Sequence, residues 1–120
     1  MNVIIFGPPG AGKGTQAHNI VKKFNLFQIS TGDLLRNEVK NKTVIGKDIE
    51  NIISKGDFAT DEIVNELIKN VVFDPLKKNS LIFDGYPRSL SQARNLDLLL
   101  KSSNQEIDFI FFLNVKKDSI

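Results

Sequence analysis

The 120-residue chain contains no cysteine, which excludes disulfides, thiolate zinc sites and a cysteine nucleophile within these residues. It also has little excess charge of either sign, because 16 basic and 14 acidic residues leave a net charge of +2. This balance gives no argument for binding nucleic acid or an anionic membrane. Neither a basic leader nor a long apolar run is present, so we expect no signal peptide, no membrane span and a cytoplasmic location.

What the chain does contain is the composition of a globular protein, with 41% hydrophobic and 25% charged residues. Its length corresponds to one domain at most. Short apolar runs alternate with segments in which apolar residues recur at helical spacing. These patterns predict strands at 2–6, 27–29, 80–84 and 108–115, and helices at 13–24, 31–40, 44–55, from Thr60 onward and at 91–101. The alternation predicts an α/β fold, a parallel sheet with helices on both faces.

A glycine-rich stretch, GPPGAGKGT at residues 7–15, lies between the first strand and the first helix. Glycines let backbone N–H groups turn inward to hold phosphate oxygens, and the helix that follows adds the positive end of its dipole. Lys13 supplies a mobile charge for the outer phosphates, and a nearby hydroxyl can serve a magnesium ion. The pattern G-x-x-x-x-G-K is complete at Lys13, but Gly14 follows and the hydroxyl comes one place later, at Thr15. A glycine-rich turn without a ligand is the alternative.

The departure at Gly14 is informative, because GPPGAGKGTQ resembles the phosphate loop of the nucleoside monophosphate kinases and above all of the adenylate kinases. Two further stretches carry the same resemblance, STGDLLR at residues 30–36 and FDGYPRSLSQ at residues 83–92. All three fall at the spacing of that family, and the resemblance extends over residues 1–120. It implies the P-loop nucleoside-monophosphate-kinase fold.

The resemblance also implies how the chain is organised. The family continues with a mobile lid, further arginines and a fifth strand, so residues 1–120 are expected to be the N-terminal part of a single kinase core domain, incomplete at its C-terminus. Residues 30–59 would form the inserted helical segment that binds the nucleoside monophosphate (NMP). The phenylalanines of residues 109–112 are assigned to the core, but without a fifth strand the sheet edge around them would be exposed. We therefore expect the isolated chain to self-associate and to transfer phosphate weakly or not at all.

An enzyme of this family transfers a phosphoryl group from ATP to AMP and gives two ADP, with Mg²⁺ as cofactor. The reaction must hold a donor triphosphate and an acceptor monophosphate in line, neutralise their charges and exclude water. Two alternatives remain open: a UMP or CMP kinase on the same fold, and a nucleotide-binding fragment without turnover. The implied partners are small nucleotides rather than nucleic acid or membranes, and the full-length protein is expected to be a monomer.

The candidate catalytic residues are Lys13, Arg36 and Arg88. An acceptor phosphate needs planar and permanently charged clamps, which favours arginine over lysine. The sequence has three arginines, and two of them lie inside the motifs, at positions that in the family clamp the acceptor phosphate. A surface ion pair is the alternative for each of these two. The third, Arg94, is expected at the surface.

The donor nucleotide and its metal ion would involve the phosphate loop and the end of the third strand. The resemblance assigns ATP binding to a run of loop residues, Gly10, Ala11, Gly12, Lys13, Gly14 and Thr15. Asp84 closes the third strand beside this loop, where a carboxylate can hold Mg²⁺ directly or through water. The family comparison agrees, with the ion mostly water-bound, and Thr15 is the second candidate. A cap or turn aspartate is the alternative for Asp84.

The acceptor nucleotide would contact the NMP-binding segment and the stretch after the third strand. Thr31 resembles the position that lies against the adenine and Gln92 the glutamine that reads its edge, where pyrimidine kinases tend to carry alanine and asparagine. Alternatively, Thr31 caps a helix and Gln92 closes a capping box with Ser89. The AMP-binding candidates are Thr31, Arg36, Asp57, Phe58, Ala59, Gly85, Tyr86, Pro87, Arg88 and Gln92. Residues 57–59 depart from the usual aliphatic residues, and Tyr86 can be simply a wall.

Overall fold

The computed structural model describes residues 1–8 and 10–114. Its elements follow the predicted alternation, and most bounds agree with the prediction to within one or two residues. In chain order they are β1 (Asn2–Phe6), α1 (Lys13–Phe24), β2 (Phe27–Ser30), α2 (Thr31–Lys40), α3 (Val44–Ser54), α4 (Asp61–Val72), β3 (Leu81–Asp84), α5 (Leu90–Ser102) and β4 (Phe109–Phe112). The longest helix, α5, has 13 residues. Within the described ranges, no helix is both long and apolar enough to span a membrane.

The described strands form one parallel sheet in the order β2-β3-β1-β4. The register places Asp84, the last residue of β3, beside Ile5 of β1 and Ser30 of β2. The carboxyl ends of the strands therefore lie at one end of the sheet, and the loops that follow β1 and β3 are neighbours there. Ligands of open α/β sheets bind outside these carboxyl ends, so this end of the sheet is where a site is expected.

Helices cover both faces of the sheet, which confirms the predicted fold class. On one face α1 packs its buried Ala17 against Val3 and Ile5 of β1. The opposite face, which includes Ile4 and Phe83, packs against α4 and α5. The helix side chains buried there are Val64, Ile68, Val71, Val72, Leu96 and Leu100. Each such burial stabilises the fold by about 1.5–3 kcal/mol, so the sheet is a rigid base for the loops at its ends.

Side-chain caps fix where four of the helices begin. In each, a hydroxyl accepts a hydrogen bond from the backbone N–H three residues later: Ser30 from Asp33 (3.5 Å), Thr43 from Gly46 (2.9 Å), Thr60 from Ile63 (3.3 Å) and Ser89 from Gln92 (3.1 Å). The predicted cap at Thr60 is confirmed. The alternative role of Thr31 as a cap is wrong, because Ser30 has that role and Thr31 is the first helical residue. Caps of this kind contribute about 1 kcal/mol each.

The edge strand β4 departs from the expected burial. It is hydrogen-bonded to β1 on one side, and no described strand lies on its other side. Its side chains are all well exposed, Phe109 by 54%, Ile110 by 52%, Phe111 by 39% and Phe112 by 69%. The assignment of these phenylalanines to the core is therefore wrong in the described part of the chain, and the expectation of an exposed apolar edge is confirmed. The predicted end of this strand, at Val115, lies outside the described residues.

A buried polar network, which the sequence analysis did not predict, joins the amino ends of the strands. Asn2 is completely buried; its side-chain oxygen accepts from the N–H of Leu81 (3.2 Å), and its side-chain nitrogen donates to Gln105 (3.2 Å). The Gln105 amide donates to the carbonyl of Val72 (3.0 Å) and accepts from the N–H of Asn79 (3.0 Å). Buried polar groups are costly unless they are bonded, so internal hydrogen bonds close this end of the sheet.

Candidate functional site

The phosphate loop has the backbone conformation that its glycines allow. Gly10 and Gly12 lie in the left-handed region, with φ of +87° and +81°, which a residue with a Cβ adopts only under strain. Gly12 is the N-cap of α1 and offers no side chain to the first turn. The N–H groups of Gly14 and Thr15 find no acceptor among the residues that the structure describes. A helix N-terminus with unused donors is suited to bind phosphate.

Lys13 and Asp84 form an ion pair across the end of the sheet. The Lys13 ammonium lies 2.8 Å from Asp84 Oδ1, and both side chains are largely shielded, at 25% and 15% exposure. The other carboxylate oxygen, Oδ2, accepts a hydrogen bond from the side-chain nitrogen of Gln28 (3.1 Å). The motif positions gave no sign of this pairing. It holds the lysine over the strand ends, from where it can turn to a phosphate.

Arg88 lies in the same cavity as the phosphate loop. The cavity is about 560 Å³, and Arg88 lines it together with Gly7, Pro8, Gly10, Gly12, Lys13, Gly14 and Thr15. The guanidinium Nε donates to the carbonyl of Gly85 (2.6 Å). Gly85 has φ +72°, and a Cβ there would lie 2.9 Å from Arg88 Nη2. The positive φ favours glycine at this turn, and a Cβ there would also displace the Arg88 guanidinium from its present position.

Arg36 is not part of that cavity. It lies on α2, is paired with Asp33 of the same turn, and has a side chain 72% exposed. Its guanidinium passes over Gly32, where a Cβ would lie 3.1 Å from Nη1. The structure therefore brings Lys13 and Arg88 together but leaves Arg36 at the surface.

The candidates for base binding lie on three separate elements. Thr31 lines a narrow apolar crevice between α2 and α4, beside Leu34 and Val64. Residues 57–59 form the turn before α4, in which Phe58 is 93% exposed. Gln92 lies in the first turn of α5, and its capping box is only half formed, because its side-chain oxygen accepts from the N–H of Arg88 (2.8 Å) rather than of Ser89. The predicted surface position of Arg94 is confirmed.

Tyr86 is completely buried, so its side chain is not available to a nucleotide. Its ring packs against Phe83 at 5.9 Å between centroids, and its hydroxyl donates to the carbonyl of Gln92 (3.3 Å). Burial raises the pKa of the phenol above its ordinary value of 10.0; the facing amide of Asn95 acts against this, and the carboxylate of Asp61 adds to it. The position is part of the core that supports the site, and only its backbone can face a ligand.

The residues available for a metal ion are few. Within the described ranges, no group of three or more histidine, cysteine, aspartate or glutamate side chains lies close together. Asp84 and the exposed hydroxyl of Thr15 lie on the strand end and the loop that face the cavity. Such a sparse set fits Mg²⁺, which keeps several waters and is usually held by one or two carboxylates with substrate phosphates.

Comparison with known proteins places the chain in one family. A family model for adenylate kinase matches residues 5–120. The chain is 58% identical over 120 residues to an adenylate kinase of Pelagibacter ubique, 41% over 117 residues to one of Mycoplasma capricolum, and 37% over 120 residues to one of Thermosipho africanus. These matches cover 98% to 100% of this chain and 54% to 56% of the other proteins, so the chain spans about half the length of these relatives. The chain belongs to the adenylate kinase family.

Proposed function

We propose that the full-length protein transfers a phosphoryl group from ATP to AMP and gives two ADP. This proposal depends on one observation: the phosphate loop and Arg88 line a single cavity. A donor triphosphate bound by the loop and an acceptor phosphate bound by the arginine would then lie next to each other. Since phosphoryl transfer depends mainly on positioning and charge neutralisation, this is the arrangement the reaction needs.

The donor ATP binds to residues 10–15. The backbone N–H groups and the dipole of α1 act on its phosphates, and Lys13 moves from Asp84 to the outer phosphates. Asp84 and Thr15 would hold a Mg²⁺ ion together with the phosphates of the nucleotide. When bound, the ion neutralises charge on the phosphate oxygens.

The acceptor AMP binds between residues 30–59, which form the NMP-binding segment, and the turn after β3. Arg88 holds its phosphate from the core, and Arg36 of α2 is the second clamp. The backbone of Gly85 to Pro87 and the residues 57–59 border the nucleotide. Thr31 lies against the base and Gln92 reads its edge, which favours AMP over UMP and CMP.

The experiment is an acceptor panel with the full-length protein. ADP formation from Mg-ATP is measured with AMP, CMP and UMP in turn. We expect AMP to have the highest kcat/KM of the three. A higher value for UMP or CMP would make the protein a pyrimidine nucleotide kinase, and no transfer to any of them would overturn the proposal.

The remaining expectations concern the protein outside its site. A cytoplasmic, monomeric enzyme that supplies nucleotides for biosynthesis is consistent with the proposed reaction. The exposed β4 edge supports self-association of the isolated 120 residues. Because these residues span only about half of the relatives' length, we also expect phosphoryl transfer far below the roughly 1–100 s⁻¹ of kinases. Sedimentation and an ADP assay of this chain test both points, and an ordinary kinase rate would contradict the second.

A further inference from the structure

Gln92 is held by two partners of opposite hydrogen-bonding character. Its side-chain nitrogen Nε2 donates to Asp61 Oδ1 (3.0 Å), and its oxygen Oε1 accepts from the backbone N–H of Arg88 (2.8 Å). Asp61 is the first residue of α4, whereas Gln92 lies in the first turn of α5. The two helices pack against each other through buried side chains such as Ile68 and Leu96. The distance between the carboxylate and the amide is thus set by a packed helix pair.

These two contacts fix which way round the amide lies. A carboxylate can only accept a hydrogen bond and a backbone N–H can only donate one. Asp61 can therefore bond only to the amide nitrogen of Gln92, and the N–H of Arg88 only to its oxygen. A 180° flip would set the amide nitrogen against the N–H of Arg88 and the amide oxygen against Asp61. Both contacts would then be repulsive. The orientation of the Gln92 side chain therefore follows from the chemistry of Asp61 and Arg88.

A fixed amide can discriminate between bases that a free amide cannot. With one N–H and one lone pair still unused, Gln92 keeps one donor and one acceptor for a base. The edge of a 6-amino purine shows a donor and then an acceptor, and the edge of a 6-oxo purine shows the reverse order. A free amide matches either edge by flipping, and a fixed amide matches only one of them.

We propose that Asp61 is a positioning residue that fixes the Gln92 amide and thereby makes the acceptor site selective for a 6-amino purine over a 6-oxo purine. This inference rests on the proposed function, in which Gln92 reads the base. Asp61 itself touches no substrate; it acts through the glutamine. Its neighbour Glu62 is also exposed and also lies in the first turn of α4, but it makes no hydrogen bond or ion pair within the described residues.

The test compares Asp61→Asn with the control Glu62→Gln in the full-length protein. Each variant removes one carboxylate from the same helical turn, so both change the interaction with the helix dipole alike. The readout is the ratio of kcat/KM for AMP to that for inosine monophosphate, the 6-oxo counterpart. Asp61→Asn, whose amide can turn either its oxygen or its nitrogen towards Gln92, should lower this ratio by about tenfold, because the hydrogen bond to a charged acceptor is lost. Glu62→Gln should change it less than about twofold, and neither should change the KM for ATP.

Two further variants separate the possible outcomes. Asp61→Ala, which offers no side-chain donor or acceptor, should lower the ratio as Asp61→Asn does. In a Gln92→Ala background Asp61→Asn should have no further effect on the ratio, because the group it positions is gone. A wild type that prefers AMP combined with an unchanged ratio in both Asp61 variants would overturn this inference and leave the proposed function standing. A wild type without a preference for AMP would overturn the proposed function first.

Discussion

The sheet has a cavity at each of its ends, and the larger one is not the candidate site. The cavity at the amino ends of the strands is about 720 Å³, against about 560 Å³ at the carboxyl ends. Volume alone would therefore favour the wrong end. The two cavities differ in the hydrogen bonds that their polar groups already make and in the charge of the side chains that line them.

At the amino end, the polar groups satisfy one another. Asn2 and Gln105 are buried and bonded to each other, and the N-terminal ammonium of Met1 bonds to a carbonyl of the chain. The exposed side chains that line this cavity include the carboxylates of Glu106 and Asp108, which repel phosphate. The polar groups at this end therefore stabilise the fold.

At the carboxyl end, hydrogen-bonding groups and positive charge remain available. The first turn of α1 has donors without acceptors in the described residues, and Lys13 and Arg88 both face the cavity. Their present partners, Asp84 and the carbonyl of Gly85, leave guanidinium and ammonium hydrogens for a ligand. Unused donors, rather than volume, therefore distinguish the end of the sheet at which we propose that phosphate binds.

The largest effect is expected from removing the charge of Lys13. Lys13→Met in the full-length protein should lower kcat on the order of 10³-fold or more, because the group neutralises charge that develops on the phosphates. Stability should fall by about 1–3 kcal/mol, because the largely shielded Asp84 carboxylate loses its cation and keeps only the hydrogen bond from Gln28. Lys22→Met, at the exposed far end of α1, is the control for a lost lysine. Activity of Lys13→Met within a few-fold of the wild type would contradict the assigned role.

A substitution at the amino end is expected to lower stability rather than activity. Asn2→Ala should lower the free energy of unfolding by about 1–3 kcal/mol, because it leaves the buried N–H of Leu81 without its acceptor and removes one hydrogen bond of Gln105. The kcat of the folded protein should change less than about twofold. Urea denaturation measures the first quantity, with Asn19→Ala on the exposed surface of α1 as the control. A stability loss below 1 kcal/mol would show that the network is not needed.

Arg88 tests whether the donor and acceptor positions are separate. Arg88→Ala should weaken AMP binding by about 10- to 100-fold, the loss of hydrogen bonds to a charged group, and leave ATP affinity nearly unchanged. Arg94→Ala, an exposed arginine on α5, should change neither affinity. Calorimetric titrations with each nucleotide measure both, and an equal loss for AMP and ATP would contradict the placement of Arg88.

A smaller effect is expected from moving Arg88 without removing it. Gly85→Ala introduces a Cβ 2.9 Å from the guanidinium and strains a backbone with φ +72°. Asn25→Ala strains another left-handed backbone position, φ +54° at the exposed end of α1 and outside the proposed site, so it controls for the backbone alone. Both variants should lose about 1 kcal/mol of stability. Only Gly85→Ala should raise the Kd for AMP, by a few-fold, and equal AMP affinity in the two variants would show that the close contact is unimportant.

The smallest effect concerns the buried phenol beneath the site. Tyr86→Phe should cost about 1 kcal/mol at pH 7, because the hydrogen bond to Gln92 is lost. The pKa of Tyr86 is raised in the folded state, so the unfolded chain ionises first as the pH passes 10.0, and the wild type loses stability there. The Phe variant cannot ionise, and the stability difference should shrink above pH 10. A difference that stays constant from pH 7 to pH 10.5 would contradict this.

Local patterns predicted most of the fold. The bounds of β1 and α1 and the cap at Thr60 follow from apolar periodicity and capping residues, which are read within a few positions of the chain. The burial of a side chain cannot be predicted in this local way, because it depends on which strands and helices become neighbours. The residues of β4 have the pattern of a buried strand, yet their position at the sheet edge leaves them exposed in the described part of the chain.

The sequence motifs named candidate site residues but not the contacts that these residues make. The motifs named Lys13, Asp84, Arg88 and Gln92, and the register explains why the first two meet at the end of the sheet. The contact of Gln92 with Asp61 joins residues 31 positions apart on two packed helices. No local pattern predicts such a pair. Tyr86 shows the same limit, since its motif position suggested a wall of the site and packing places it in the core.

The most direct test of the account is to locate nucleotide binding at one end of the sheet. Amide chemical shifts of the full-length protein are followed by NMR while Mg-ATP and then AMP are added. The largest shift changes are expected at Gly10, Gly12 and Gly85, and changes near the noise level at Asn79 and Gln105. Changes concentrated at the amino end, around the larger cavity, would contradict the claim that unused donors rather than volume mark the site.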